Sequence, residues 1–123
     1  MINEKSGKLT THVLDTANGC PGQGIAIALW QFAPEIDSKT LLKTIHTNHD
    51  GRTNEPLLKP QEMEKGIYEL IFTVGDYFAK YSTYPQPLFL DEIPIRFGIN
   101  NIEVHYHVPL LVSPWSYSTY RGS

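Results

Sequence analysis

Glu103-Val-His-Tyr-His-Val-Pro-Leu-Leu-Val112 reads as a β-strand with two unlike faces. Successive side chains of a strand point to opposite sides. Val104, Tyr106, Val108 and Leu110 therefore share one face, and His105, His107 and Pro109 share the other. The first is the natural core face. The second puts two histidines outside the core, on a strand apolar enough to meet something else, most simply another subunit. Ser113-Pro114 bends the chain, and Ser116 to Arg121 reads as a further strand. Aromatic residues continue to Tyr120, whereas disordered segments are poor in them.

Upstream, short β-type runs alternate with turn clusters. Thr10 to Asp15 is a strand in which Thr10, His12 and Leu14 oppose Thr11, Val13 and Asp15. Asn18-Gly-Cys-Pro-Gly22 is a turn. Ile25 to Phe32 sets Ile, Ile, Leu and Phe against Ala, Ala, Trp and Gln, and Pro34 to Ser38 breaks it. Thr40 to Thr47 is expected as a strand, although its composition also suits a helix. Gln61 to Lys65 is expected as loop or turn. Gly66 to Thr73 places Tyr68, Leu70 and Phe72 on one face. Gly75 to Ser82 breaks the alternation, and the spacing predicts a helix of about two turns capped by Asp76. Ile93 to Ile99 is another strand. Seven or eight short strands at even spacing argue a β-sandwich. The expected organisation is a flexible segment over residues 1–7 and one domain over 8–123.

Composition narrows the function. The chain has 123 residues, 41% hydrophobic and 19% charged, with net charge −3. Arg52, Arg96 and Arg121 are its only arginines, and no basic stripe suggests nucleic acid. No apolar run is long enough to span a membrane. The polar start has no apolar signal region, so a cytoplasmic location is the default expectation. Cys20 is the sole cysteine, which excludes an internal disulfide and suits a reducing compartment. It reads as a small turn residue. His46 and His49 add to the histidine count, but the carboxylates are scattered and no tight ligand spacing supports a metal. No Gly-rich phosphate loop is present.

His12, Arg52, His107 and Tyr120-Arg-Gly-Ser123 are far apart, so only tertiary or quaternary structure can unite them. United, they offer imidazoles able to activate water, a guanidinium able to hold an oxyanion, a phenol and a serine. Those parts suit hydrolytic opening of a planar carbonyl ring.

Four blocks carry a resemblance: Leu9-Thr-Thr-His-Val-Leu-Asp15, Asp50-Gly-Arg52, His105-Tyr-His-Val-Pro-Leu-Leu111 and Tyr120-Arg-Gly-Ser123. In this order they resemble the transthyretin-like family, in the branch that hydrolyses 5-hydroxyisourate. The likeness runs from about Lys8 to Ser123. Gly22, where that family more often has Ala, and the segment Phe32 to Lys43 depart from it.

The resemblance implies a mainly β fold, an eight-stranded sandwich with one short helix. It implies a homotetramer, a dimer of dimers with sites in the channel between dimers, and no metal or other cofactor. The implied reaction opens 5-hydroxyisourate to 2-oxo-4-hydroxy-4-carboxy-5-ureidoimidazoline in urate catabolism. His12 and His107 would orient and activate water, Arg52 would hold substrate and oxyanion, and Tyr120 and Ser123 would contact substrate or fix the geometry. Spacing favours His107 over His105, which is expected to be structural or supporting. Arg121 is either an ion-pair partner or a ligand.

Plainer readings stand beside these. Strand histidines are often interface residues, Arg52 suits an ordinary turn, and Trp30 and Trp115 suit packing. A small-ligand carrier of the transthyretin type is the alternative function. A structural sandwich module is the third, and it predicts no convergent polar site.

Overall fold

The computed structural model describes residues 6–122. The expected flexible segment falls mostly outside them. Within them, the Ser6 hydroxyl donates to the Glu103 carbonyl at 2.8 Å. Eight strands follow: β1 Lys8–Asp15, β2 Cys20–Pro21, β3 Ala26–Ala33, β4 Ser38–His46, β5 Gly66–Thr73, β6 Glu92–Ile99, β7 His105–Val112 and β8 Tyr117–Thr119. One helix, α1 Val74–Phe78, links β5 towards β6.

The strands form two four-stranded sheets, ordered β2-β1-β7-β8 and β4-β3-β5-β6. All pairings are antiparallel except β1 with β7, which is parallel. Their inner faces meet in one core. Leu9 and Val13 of β1, with Tyr106, Val108, Leu110 and Val112 of β7, pack against Ile27, Leu29, Leu70, Phe72 and Ile93. Each fully buried aliphatic or aromatic side chain contributes about 1.5–3 kcal/mol. The fold is thus the mainly β, eight-stranded sandwich with one short helix that the alternation and the resemblance imply.

Some local expectations need correction. Phe32 lies with Ala28 and Trp30, not with Ile27 and Leu29. Strict alternation from Ile25 puts it on the outer face, where the Arg96 guanidinium sits 4.1 Å from its ring. The Thr40–Thr47 strand runs instead from Ser38 to His46. Gln61 to Lys65 is turn and loop as expected, its start forming part of a 3-10 turn at Pro60–Glu62.

The helix is one turn rather than two, and Asp76 does not cap it. Thr73 is the N-cap residue and makes no side-chain cap bond. Instead the Val74 and Gly75 N–H groups both donate to the Asp91 carbonyl, each at 3.0 Å. A backbone acceptor just before β6 therefore satisfies the orphan donors of the first turn.

Trp115, expected as a packing residue, is 61% exposed. Its ring lies 6.2 Å from Tyr84 and 6.3 Å from Phe89 at the surface. Trp30 lies under Lys39, whose Nζ is 4.6 Å from the ring centroid.

Candidate active site

The outer face of the β2-β1-β7-β8 sheet carries the histidines. Burial along β1 alternates as parity requires, with Leu9, Thr11, Val13 and Asp15 inside and Thr10, His12 and Leu14 outside. The parallel register sets Lys8 beside His105, Thr10 beside His107, and His12 beside Pro109. His12 and His107 are therefore diagonal neighbours on one surface. Two segments distant in sequence supply them, and the β1/β7 ladder is what brings them together.

Arg52 arrives from a loop pinned to β1. The Val13 N–H donates to the Gly51 carbonyl at 2.8 Å, and the Asn48 N–H donates to the Arg52 carbonyl at 2.7 Å. Asn48 Oδ1 accepts from the Asp50 and Arg52 N–H groups. Gly51 has φ +76°, and a Cβ there would collide with the Val13 carbonyl oxygen. Only glycine allows both the left-handed turn and this approach. Among the described residues no carboxylate forms an ion pair with Arg52.

The segment after β8 reaches the same surface. Gly122 bridges His107, and its N–H donates to the His107 carbonyl at 2.7 Å. A Cβ at 122 would lie 2.6 Å from His107 Cδ2. The imidazole thus rests directly on a glycine backbone.

Hydrogen bonds constrain the rings. His12 Nε2 lies 2.9 Å from the Asp50 carbonyl. A carbonyl only accepts, so Nε2 carries the proton and Nδ1 keeps its lone pair. Thr10 Oγ1 lies 2.6 Å from His105 Nε2 and 2.8 Å from His107 Nδ1.

Electrostatics favour neutral rings. Burial lowers the His12 pKa, and the Arg52 guanidinium lowers it further, against the opposing hydrogen bond and charge of Asp50. Burial likewise lowers His107, followed by the nearby His105, Arg52 and His12. Burial and Lys8 lower His105. A neutral imidazole is the form able to accept a proton from water.

A cavity of about 410 Å³ opens here, lined by Lys8, Thr10, Thr11, Arg52, Thr53, Asn54, Glu55, Pro56, His105 and His107. Arg52 and His107 thus share its wall. His12 is not among the lining residues and stands beside it. Tyr120 belongs to a different cavity, of about 570 Å³, between the edges formed by β6 and β8. The β7/β8 register nonetheless continues through the Gly122 bridge and sets Tyr120 opposite Pro109, in the row of His12. Ser123 lies outside the described residues. Arg121 stacks its guanidinium 4.4 Å from the Tyr106 ring.

Thr10 and His105 hold a tighter place in the site than sequence reasoning assigned them. Parity had set Thr10 on the face of His12, and His105 on that of His107. What no parity argument supplies is the register that makes the two faces adjoin. Among the described residues no group of three His, Cys, Asp or Glu could hold a metal ion.

The HIUase/Transthyretin family model matches residues 9–122. The chain belongs to this family. Within it, a 5-hydroxyisourate hydrolase of Ralstonia nicotianae is 55% identical over 118 residues, which cover 95% of this chain and 99% of that protein. The crystal structure of an (S)-allantoin synthase is similar at TM-score 0.86 and 50% identity, covering 95% of this chain and 44% of that one. Transthyretin from Sparus aurata is similar at TM-score 0.82 and 25% identity, covering 94% of this chain and 96% of that one. The residues matched by the family model take in nearly all of β1 and all of β7.

Proposed function

We propose that this chain is a 5-hydroxyisourate hydrolase, opening the ring to 2-oxo-4-hydroxy-4-carboxy-5-ureidoimidazoline. The observation that carries the reading is His12 and His107 on one sheet face, with Arg52 beside them on the loop pinned to β1. The relative from Ralstonia nicotianae, matched over nearly its whole length, bears that activity in its name.

The chemistry follows from the parts. A neutral imidazole takes a proton from water, and the hydroxide attacks the ring carbonyl. Arg52 holds the substrate and the oxyanion that develops. The ring C–N bond then breaks, and the departing nitrogen takes up the proton. Tyr120 and Ser123 contact the substrate or fix the site's shape. No metal or other cofactor is required by this route. The assembly is a homotetramer with the site in a channel between dimers, and the compartment is cytoplasmic.

The test follows the ultraviolet decay of freshly generated 5-hydroxyisourate. Purified protein is expected to speed decay well beyond the spontaneous rate, and no acceleration defeats the reading. Likeness to transthyretin favours a second reading, a carrier of small aromatic ligands. A carrier would bind such a ligand in the channel without consuming 5-hydroxyisourate.

A further inference from the structure

We infer that His105, Thr10 and His107 form a proton relay in which Thr10 and His105 are positioning residues that set the proton state of His107. The inference rests on the hydrolase reading for its use in turnover, and on geometry for its existence.

A threonine hydroxyl has one proton to donate. Thr10 Oγ1 has a ring nitrogen on each side, at 2.6 Å and 2.8 Å. When both rings are neutral, the hydroxyl donates to one nitrogen and accepts from the other. If His107 Nδ1–H donates to Thr10, then Thr10 donates to His105 Nε2. Both rings then carry Nδ1–H, and His107 Nε2 keeps a lone pair for the substrate water. If the chain of bonds reverses, both rings carry Nε2–H and that lone pair is lost. The two tautomers are thus locked together through Thr10.

The same chain moves charge. Water gives a proton to His107 Nε2. His107 Nδ1–H passes to Thr10 Oγ1, and the Thr10 proton passes to His105 Nε2. The result is hydroxide in the site, a neutral His107 and an imidazolium at His105. Reversal returns the proton to the departing ring nitrogen, so nothing is left over. The site gains because a cation on His107 would face Arg52 and His12. His105 faces Lys8 instead, its cross-strand neighbour. The other charged groups around the pair are Glu55, which lines the cavity, and Asp50, which holds His12. The segment at Gly122 adds no side chain. A pair linked in this way can share one proton and resists a second, since two ring N–H groups cannot both be served while the hydroxyl proton has no acceptor.

Three single variants, one double variant and two readouts test this. Thr10→Val keeps the β-branched shape and removes the hydroxyl. Thr10→Ser restores the hydroxyl. His105→Gln keeps an amide able to hydrogen-bond but unable to hold the proton. Thr10→Val and His105→Gln are each expected to lower kcat about a hundredfold, the low end of what general acid–base catalysis supplies. KM should change by no more than about twofold, and Thr10→Ser should recover most of kcat. The double variant should be no worse than the poorer single, because both break one chain. A Thr10→Val enzyme with full kcat, a Thr10→Ser enzyme as impaired as Thr10→Val, or multiplying losses overturns the relay. The second readout needs no substrate. Side-chain ¹⁵N spectra should show His105 and His107 with the same tautomer, and Thr10→Val should shift both together. Independent behaviour of the rings overturns the relay even in an active enzyme. An unmodified chain that fails to speed 5-hydroxyisourate decay removes the hydrolase reading, while the spectra still decide the linkage.

Discussion

Gly122 and His107 illustrate how a single atom can govern the site. A methyl group at 122 would meet the imidazole at 2.6 Å from Cδ2, so Gly122→Ala must push the ring or the backbone aside. We expect that variant to fold, with kcat reduced by at least tenfold, since misplacement by about 1 Å can cost a hundredfold. Steady-state kinetics with a thermal melt separates the two effects. His107→Ala and Arg52→Ala are expected to lose about 10²–10⁴-fold and 10²–10³-fold respectively. The histidines also carry a pH signature. His12, His105 and His107 all titrate below the ordinary imidazole value because burial opposes their charging. The neutral base therefore persists into mildly acid solution, and kcat/KM should begin to fall only below about pH 6.5. Stability follows with the same sign. Below about 6.5 the unfolded chain binds more protons than the folded one, so folding weakens as pH falls from there through the lowered values and is unaffected above about 6.5. Urea titrations across that range measure it. At this scale the sequence was legible in part. Parity alone put His107 outside the core and Arg52 beside an Asp-Gly turn. Parity put Thr10 on the face of His12 but gave it no role, because a hydroxyl gains meaning only from the two rings that another strand brings to it.

At the scale of elements, alternation exposed most strands, because each buries one face and leaves the other outside. It failed where backbone contacts took over. The Asp76 cap was a reasonable local reading, but the Asp91 carbonyl already serves Val74 and Gly75. A side-chain cap has nothing left to do there, and the helix ends after one turn. The buried Asp15 is a comparable hinge between elements. It accepts from the Ala17 and Asn18 N–H groups, from the Asn18 side chain and from the Tyr77 hydroxyl at 2.7 Å. Burial pushes its pKa up, but these bonds outweigh that and leave it lowered. Burial drives Tyr77 upward, helped by its bonds to Tyr81 and Asp15. Asp15 thereby ties the β1–β2 turn to α1. Replacing it with Ala strands several donors and should cost about 3 kcal/mol. Tyr77→Phe removes one bond and should cost about 1 kcal/mol. Chemical denaturation of both variants reports the difference, and an unchanged midpoint for Asp15→Ala would contradict this role.

For the whole molecule, the sandwich was readable from strand count and spacing, whereas the strand order was not. Sequence proximity suggests hairpins, yet β1 lies between β2 and β7. Surface chemistry at the β8 edge bears on assembly. Tyr117 and Tyr120 are 45% and 60% exposed, and side chains of this kind are enriched at subunit interfaces. Size-exclusion chromatography with light scattering should return a tetramer, and a stable monomer would contradict the channel arrangement. Deletion of residues 120–123 should remove activity and leave the sandwich folded, because β8 ends at Thr119. The parallel pairing of β1 with β7 has a consequence for biosynthesis. Thr10 and His107 are 97 positions apart, and no hairpin can join parallel strands. While the ribosome is still adding residues before His105, β1 has an unfilled edge and the site has only half its groups. Long-range pairing of this kind also slows folding. The nascent chain therefore spends most of its synthesis without catalytic capacity, exposing a strand edge that chaperones can bind.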